Sequence, residues 1–340
     1  MATKHLILMT ALMAVFVGIL GVPVMAQEGE VLTIYSGRNE SLIGPLIDQF
    51  VEDTGIAVEV LYGGTNAVAN QILTEGANSP ADVFIAQDSG ALGALAAADM
   101  LMALPEEILA QVIDPAFVSP DGLWVGLSGR ARVLVYSPES LEESGLEPPD
   151  SILDLTGGDW TGIVGWAPTN ASFVANVTAM RVLLDDEAVA AWLADMIAND
   201  VQAYPKNTPI VQAVIDGEIA VGLVNHYYLF RFLAEDPDIT ARLHFFPGGD
   251  PGSLINVAGA AILATTDQTD LALALVEYML SDSAQQYFAA QTYEYPLVAS
   301  VEPSVELPAL ADIEAPEIDL SDLDDLQATL EMIENSGALD

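Results

Sequence analysis

The sequence contains no cysteine, which excludes a disulfide framework and a lipid-modified cysteine anchor. Basic residues are nearly as scarce: Lys and Arg total 8 against 50 Asp and Glu, a formal charge of −42. Repulsion on that scale excludes nucleic acid as a partner, and it suits a salty medium in which screening makes self-repulsion tolerable. A solvated acidic coat accounts for most of these carboxylates. After residue 24 no apolar run approaches the length of a membrane span, so the mature chain is expected to be soluble outside the cytoplasmic membrane. The scarcity has a corollary for the cations that remain. Arg38, Arg130, Arg132, Arg181, Lys206, Arg231 and Arg242 are each expected to have a specific anionic partner more often than surface cations usually do.

What is present bounds the fold. With 340 residues, 52% of them apolar, the chain can bury a large core arranged as two domains or one large one. Residues 1–26 read as an export signal: Lys4 and His5, an apolar run over residues 6–24, then "PVMAQ" with Val24 and Ala26 in the small-residue cleavage pattern. Cleavage is expected after Ala26, which removes Lys4 and takes the formal charge from −42 to −43. An uncleaved membrane anchor is the other reading of the same run.

Along the chain, short β-rich runs hand over to helices. "VLTIYS" (31–36) is followed by Leu42, Ile43, Leu46, Ile47, Phe50 and Val51 at helical spacing, with Asn39 or Ser41 as cap, Pro45 in the first turn and Gly55 as stop. "IAVEVLY" (56–62) completes a βαβ unit, so a parallel sheet with a right-handed crossover is expected. "ADVFIA" leads through "QDSG" into an Ala/Leu-rich helix, "GIVGWA" through "PTNAS" into a helix reaching about Ala198, and "EIAVGLVN" directly into "HYYLFRFLAED". Ligands in open α/β sheets bind at this edge, beyond the carboxyl ends of the strands. Residues 126–141 and 254–266 read as long strands able to cross between domains, and the acidic tail from Val301 as surface helices without chemistry.

The adjacent phenols Tyr227 and Tyr228 are the most distinctive chemistry. A free phenol ionises at a pH of about 10, so it needs a strong stabiliser to act as an anion at neutral pH. A helix N-terminus supplies part of that and a trivalent metal far more, and hard phenolate oxygen suits ferric iron. Taken alone, the pair reads more readily as two amphipathic aromatics straddling core and solvent.

The setting adds a resemblance. "IYSGRNESL", "SPADVFIAQ", "LSGRARVLVY", "GWAPTNASF", "YPKN", "VNHYY" and "YEYPL" occur in the order found in the periplasmic ferric-iron-binding proteins of ABC iron importers, which the chain resembles from about Leu32 to Leu297. The resemblance implies a two-lobed α/β periplasmic-binding-protein fold of the type II, Venus-flytrap kind with a two-crossover hinge. Lobe 1 would comprise residues 27–131 with 258–308, and lobe 2 residues 132–257 with 309–340 and the C-terminal helices. It implies a ferric ion (Fe3+) as cargo, carbonate or phosphate as synergistic anion, an ABC-type iron permease as membrane partner, and a monomer.

By position, Tyr227 and Tyr228 resemble the iron-binding pair. Asn170, Ala171 and Ser172 match a loop that holds the anion through backbone N–H groups at a helix start. Asn207 and Asn225 match anion-binding asparagines, and Arg130 an arginine that contacts carbonate in some members. Arg38, at the opening of a helix beside the cleft, is a second expected anion clamp. Departures occur where members carry further ligands: Asn39 replaces a histidine, Gln87 a glutamate, and Asn170 or a neighbour a third tyrosine. With neutral amides there, anion and water would complete the shell, and Glu40, Tyr62 and Asp88 are further places for a protein ligand.

His226 is a possible additional ligand, although adjacent strand-end residues point apart. His244 reads as packed, and Tyr35, Tyr62 and Tyr136 as strand-end packing residues. The glycines of "PGGDPGS" lack a nucleotide-cradle frame, and no nucleophile, base and orienting acid recur at recognisable spacing, so no enzyme is expected. Other readings of the same fold are a phosphonate, thiamine or polyamine cargo, the cations held face-on by aromatics, and a ligand-sensing surface domain.

Overall fold

The computed structural model describes residues 31–339, and the leader expected over residues 1–26 lies outside the described residues. The first unit is β1 (Val31–Ser36), α1 (Glu40–Thr54) and β2 (Ala57–Tyr62), with β1 and β2 parallel as the pattern requires. Asn39 caps α1 by accepting the Ser41 N–H at 3.0 Å, and Gly55 ends it at φ 73°. Ile43, Leu46, Ile47 and Phe50 form its buried stripe. Pro45 lies in the second turn rather than the first; Gly44 before it has no Cβ to crowd the proline ring, and the helix continues through it.

The chain continues through α2 (Thr65–Glu75), β3 (Val83–Ala86), α3 (Ser89–Ala97) and the short α4 (Glu106–Leu109) into β4 (Val125–Tyr136). There follow α5 (Pro138–Ser144), β5 (Val164–Trp166), α6 (Ala171–Leu183), α7 (Asp186–Ala198), β6 (Gln202–Ala203), α8 (Asn207–Ile215), β7 (Val221–Asn225) and α9 (Tyr227–Glu235). The last elements are β8 (Arg242–His244), β9 (Ile255–Ile262), α10 (Thr269–Met279), α11 (Asp282–Tyr287), β10 (Tyr295–Pro296) and α12 (Leu326–Ser336). No helix among the described residues is long and apolar enough to cross a membrane.

The strands hydrogen-bond in the order β2-β1-β3-β9-β4-β7-β5-β6, with β8 and β10 also on β4. β4 changes partners part-way: Val125–Ala131 pair with β9, whereas Arg132–Tyr136 pair with β7. β9 meets β4 from Ile255 opposite Ala131, and the Arg132 N–H donates to the Leu254 carbonyl at 2.8 Å, so both chain passes lie side by side. Apolar side chains gather on either side of them. One cluster holds Leu32, Ile34, Phe50, Phe84 and Ile262; the other is built on Trp166, Phe173 and Trp192, whose rings meet at 5.3, 6.1 and 6.5 Å.

Two sequence readings are corrected here. The strand expected over 126–141 stops at Tyr136, because Ser137 accepts the Ser140 N–H and Pro138 occupies the first helical position of α5. The helix expected to reach Ala198 is two helices, broken where Asp185 accepts the Ala188 N–H at 2.8 Å and starts α7. The tail also reaches both sides of the crossing: its 3-10 turn Leu320–Asp324 packs on α3 and α6, and α12 packs on α6 and α7.

Candidate metal centre

The segments that follow the carboxyl ends of β1, β2, β3, β5, β6 and β7 face one cleft of about 530 Å³. From the β1–β3 side come Gly37, Asn39, Thr65 and Gln87; from the β5–β7 side come Asn170, Ala171, Ser172, Lys206, Tyr227, Tyr228 and Arg231. Gly37 has to be glycine, since a Cβ there would stand 2.6 Å from Thr65 Oγ1.

Tyr227 and Tyr228 occupy the first two positions of α9, their ring centres 4.5 Å apart and inclined by 31°. Tyr227 is 2% exposed and Tyr228 half-buried. Burial pushes the Tyr227 phenol above the usual tyrosine range; Tyr228 adds to the push and the Arg130 charge opposes it. Without a bound cation this phenol therefore keeps its proton. The Arg231 guanidinium stacks over both rings, 5.1 Å from the Tyr227 centre and 5.3 Å from that of Tyr228.

Behind the pair lies a buried polar layer. Asn225 donates from Nδ2 to Ser172 Oγ at 3.1 Å and reaches Tyr227 Oη at 3.5 Å, while its Oδ1 accepts from Arg132 Nη1 at 3.0 Å. Burial brings Arg132 down to about 10, and the two tyrosines hold it up against that pull. Asn207 is buried and donates to Asn170 Oδ1 at 3.3 Å, so it reaches the cleft only through Asn170.

The loop at the start of α6 is largely self-capped. The Asn170 N–H bonds to the Ala167 carbonyl and the Ser172 N–H to Asn170 Oδ1, which leaves the Ala171 N–H and the Ser172 hydroxyl for a ligand. Asn39 likewise spends its Oδ1 on capping α1, though it lines the cleft with Gln87.

Several expected site residues lie elsewhere. Arg38 is fully buried and bidentate on Glu294 at 3.1 and 2.9 Å, with Ser128 at 3.1 Å, so it is not an anion clamp at the cleft. Arg130 is 2% exposed in the crossing strand and does not line the cleft; its charge faces Asp88 and Glu294. Asp88 is equally buried, and burial raises its carboxyl above the usual range. His226 is excluded as a ligand, because Nδ1 accepts the Ala131 N–H at 3.1 Å and Nε2 meets the Tyr293 carbonyl at 2.8 Å. Its burial lowers it to about 4, so it sits neutral in a structural role. Tyr62 lies against α1, its hydroxyl beside Gly44 and near Glu40, and does not line the cleft. His244 packs as expected, with Nε2 2.8 Å from the Pro149 carbonyl and the ring edge-on to Phe246.

The cations that do line the cleft are Lys206 and Arg231. The scarcity of basic residues singles out both, yet it singles out Arg38 and Arg130 equally; the sequence carries no signal of which cations face solvent. Among the described residues, no three His, Asp or Glu side chains form a metal cage. The tyrosines are thus the anionic oxygens this cleft can offer a hard cation.

Comparison with known proteins places this geometry in a lineage. The chain is 31% identical to the Fe(3+)-binding periplasmic protein of Serratia marcescens over 92% of each chain. The structure is similar to iron-bound HitA of Pseudomonas aeruginosa, with a TM-score of 0.83, 34% identity, and 90% of this chain and 99% of that one covered. It is also similar to the Trichodesmium IdiA (FutA) protein in complex with iron and citrate, with a TM-score of 0.74, 26% identity, and 91% and 99% covered. Residues 45–315 match the family described as bacterial extracellular solute-binding protein, a span that includes both crossing strands and the cleft lining from Gly63 onward. The chain belongs to the bacterial extracellular solute-binding protein family.

Proposed function

We propose that this protein captures ferric iron outside the cytoplasmic membrane, in the periplasm, and delivers it as a monomer to an ABC-type iron permease. The observation that carries the reading is the tyrosine pair: two phenols at the start of one helix, facing a cleft in which no carboxylate cage competes for the metal. The Serratia protein, named for Fe(3+) binding, and the iron-bound Pseudomonas structure support the choice of cargo.

The chemistry follows from charge. A hard trivalent cation displaces the protons of Tyr227 and Tyr228, and the two phenolate oxygens become ligands. An exogenous anion fills further positions on the metal, held by the Ala171 N–H, Ser172, Lys206 and the uncapped N-terminus of α8. Lobe 1 (27–131 with 258–308) and lobe 2 (132–257 with 309–340) close on the cargo about the paired crossing strands, and the closed form is what the permease recognises.

The test is a visible spectrum of iron-stripped protein titrated with ferric salt in bicarbonate. A tyrosinate-to-iron charge-transfer band is expected, and Tyr227→Phe and Tyr228→Phe should each weaken ferric affinity at least about a hundredfold, because removing one oxygen deletes an anionic ligand with little change in volume. Unaltered titrations in both variants would refute the site.

A further inference from the structure

The residue before the tyrosine pair makes contacts that metal ligation does not use. His226 is fully buried between β7 and α9 and does not line the cleft, since its side chain leaves the strand end on the face opposite to Tyr227. Three bonds tie it to residues assigned above to lobe 1. Its N–H donates to the Ala131 carbonyl at 3.0 Å, Nδ1 accepts the Ala131 N–H at 3.1 Å, and Nε2 lies 2.8 Å from the Tyr293 carbonyl. Because a backbone N–H can only donate, Nδ1 is the bare nitrogen and Nε2 carries the proton, which it donates to Tyr293. The Tyr295 ring packs against the imidazole, 4.8 Å away.

The acceptor at Tyr293 is set by an unusual backbone. Phe288–Thr292 form a single π-helical turn, and Tyr293 ends it in the left-handed region at φ 58° and ψ 24°, where a residue other than glycine is uncommon. Such strain persists only where the surroundings hold it, and it clusters at the working parts of proteins. Here the next residue, Glu294, is clamped by Arg38 at 3.1 and 2.9 Å, and Arg38 stands between Gly37 and Asn39, which both line the cleft. Contacts thus run without a break from the lobe 1 lip of the cleft through Arg38, Glu294, Tyr293 and His226 to Tyr227. The Tyr293 ring also meets Phe230 of α9, with 6.1 Å between centres.

We propose that His226 is a positioning residue for the tyrosine pair: its ring pins the start of α9 to lobe 1 at Ala131 and Tyr293, so that Tyr227 and Tyr228 stay at the pivot while the rest of lobe 2 swings. This rests on the ferric reading and the two-lobed closure proposed above, and it adds a residue that touches neither metal nor anion. A pair anchored on both lobes presents its oxygens in one geometry before the metal arrives, and so loses less freedom on binding. A pair carried by lobe 2 alone would shift against the lobe 1 lip at each opening, and iron would leave faster. Imidazole suits the task because it is rigid and bears an acceptor and a donor at opposite ends of one ring. Asparagine can place its amide only where Nδ1 lies, and glutamine only where Nε2 lies.

The experiment compares the purified protein with His226→Asn, which keeps an acceptor for Ala131 and cuts the bond to Tyr293, and His226→Gln, which keeps a donor for Tyr293. Iron-loaded samples are mixed with excess competing chelator, and loss of the tyrosinate band is followed. The Asn variant should take up iron with its colour and release it at least about tenfold faster than the parent, and the Gln variant should recover most of that loss. Urea midpoints of the iron-free proteins are the control, since a residue that only packs would lower stability and leave the release rate alone. Release at the parent rate in His226→Asn, or equal acceleration in both variants, overturns the proposal. Should neither variant fold, the parent decides. With isotope-labelled histidine and gallium in place of ferric iron, the His226 Nε2 proton should be seen by NMR and exchange slowly with water both with and without the metal, a His244→Gln variant telling the two histidines apart. An imidazole protonated at Nδ1, or an Nε2 proton that exchanges freely once the metal is removed, overturns the pin and leaves the ferric reading standing. A parent protein that takes up no iron and shows no tyrosinate colour overturns both.

Discussion

Arg38 and Glu294 lie 256 residues apart in sequence and form a fully buried pair, with Ser128 and Thr292 completing the carboxylate's hydrogen bonds. Breaking such a pair costs more than the pair contributes, since the surviving charge stays buried. Glu294→Gln should therefore destabilise the protein by about 3–5 kcal/mol at neutral pH, measured by urea denaturation; an unchanged midpoint would contradict it. Burial pulls the Glu294 carboxyl upward, but the Arg38 and Arg130 charges and the hydrogen bonds prevail and hold it below the usual carboxylate range. The folded state thus binds this proton less readily than the unfolded one. The pair's stabilisation is present above the unfolded glutamate value of about 4.3 and is lost as pH falls below it. Wild type should lose more stability between about pH 5 and 3 than Glu294→Gln does. The same pair explains what the sequence left hidden at this scale. The tyrosine pair and the "PTNAS" loop are legible because their neighbours in sequence are their neighbours in space. The fate of Arg38 is set by a carboxylate most of a chain length away, and no local pattern announces it.

At the scale of elements, the βαβ start, the strand ends and α9 are legible because period and caps agree there. The misreadings have one cause, apolar pattern running on past a polar cap: Ser137 and Pro138 end β4 although bulk continues, and Asp185 starts α7 within a helical run. The tail shows a different limit. Read from sequence as surface helices, it sends its 3-10 turn Leu320–Asp324 against α3, where a Cβ on Gly90 would run into the Leu323 carbonyl and one on Gly93 would lie 2.5 Å from the Ser321 carbonyl. Beyond that turn α12 is fastened to α6 by Arg181, which reaches Asp325 and Thr329. The glycines of "SGALGALAA" thus mark the seat of a strap touching both sides of the crossing strands. Gly90→Ala should cost about 1–3 kcal/mol by overpacking and lift the turn off α3. Limited proteolysis should then cut the tail faster between residues 309 and 325 while the tyrosinate band persists. Equal cutting rates in variant and parent would mean that the tail is held by α12 alone.

The whole molecule carries 50 acidic residues, and among the described residues the ion pairs draw on Arg38, which is internal, and Arg181, which binds Asp186 and Asp325 at the surface. Nearly all the surface carboxylates therefore face one another across solvent without a matching cation. Lobe-scale fold and family were legible through the order of short motifs, but the contrast between an acidic exterior and a carboxylate-free cleft was not, because composition has no direction. That contrast fixes the response to salt. Repulsion among exposed charges reaches about 30 Å at 0.01 M salt and only about 3 Å at 1 M, so screening should relieve the folded state, in which the carboxylates are crowded, more than the unfolded chain. The melting temperature should rise steadily with sodium chloride and level off as the screening length falls below the spacing of the charges. A protein held together by surface ion pairs would lose stability under the same titration. Sucrose, which strengthens burial without screening, separates the two contributions: at matched osmolality it should raise the melting temperature less than salt does. A melting temperature that is flat or falling between 0.01 and 1 M sodium chloride would mean that the acidic coat is not under electrostatic strain, and that its repulsion is already met by bound cations.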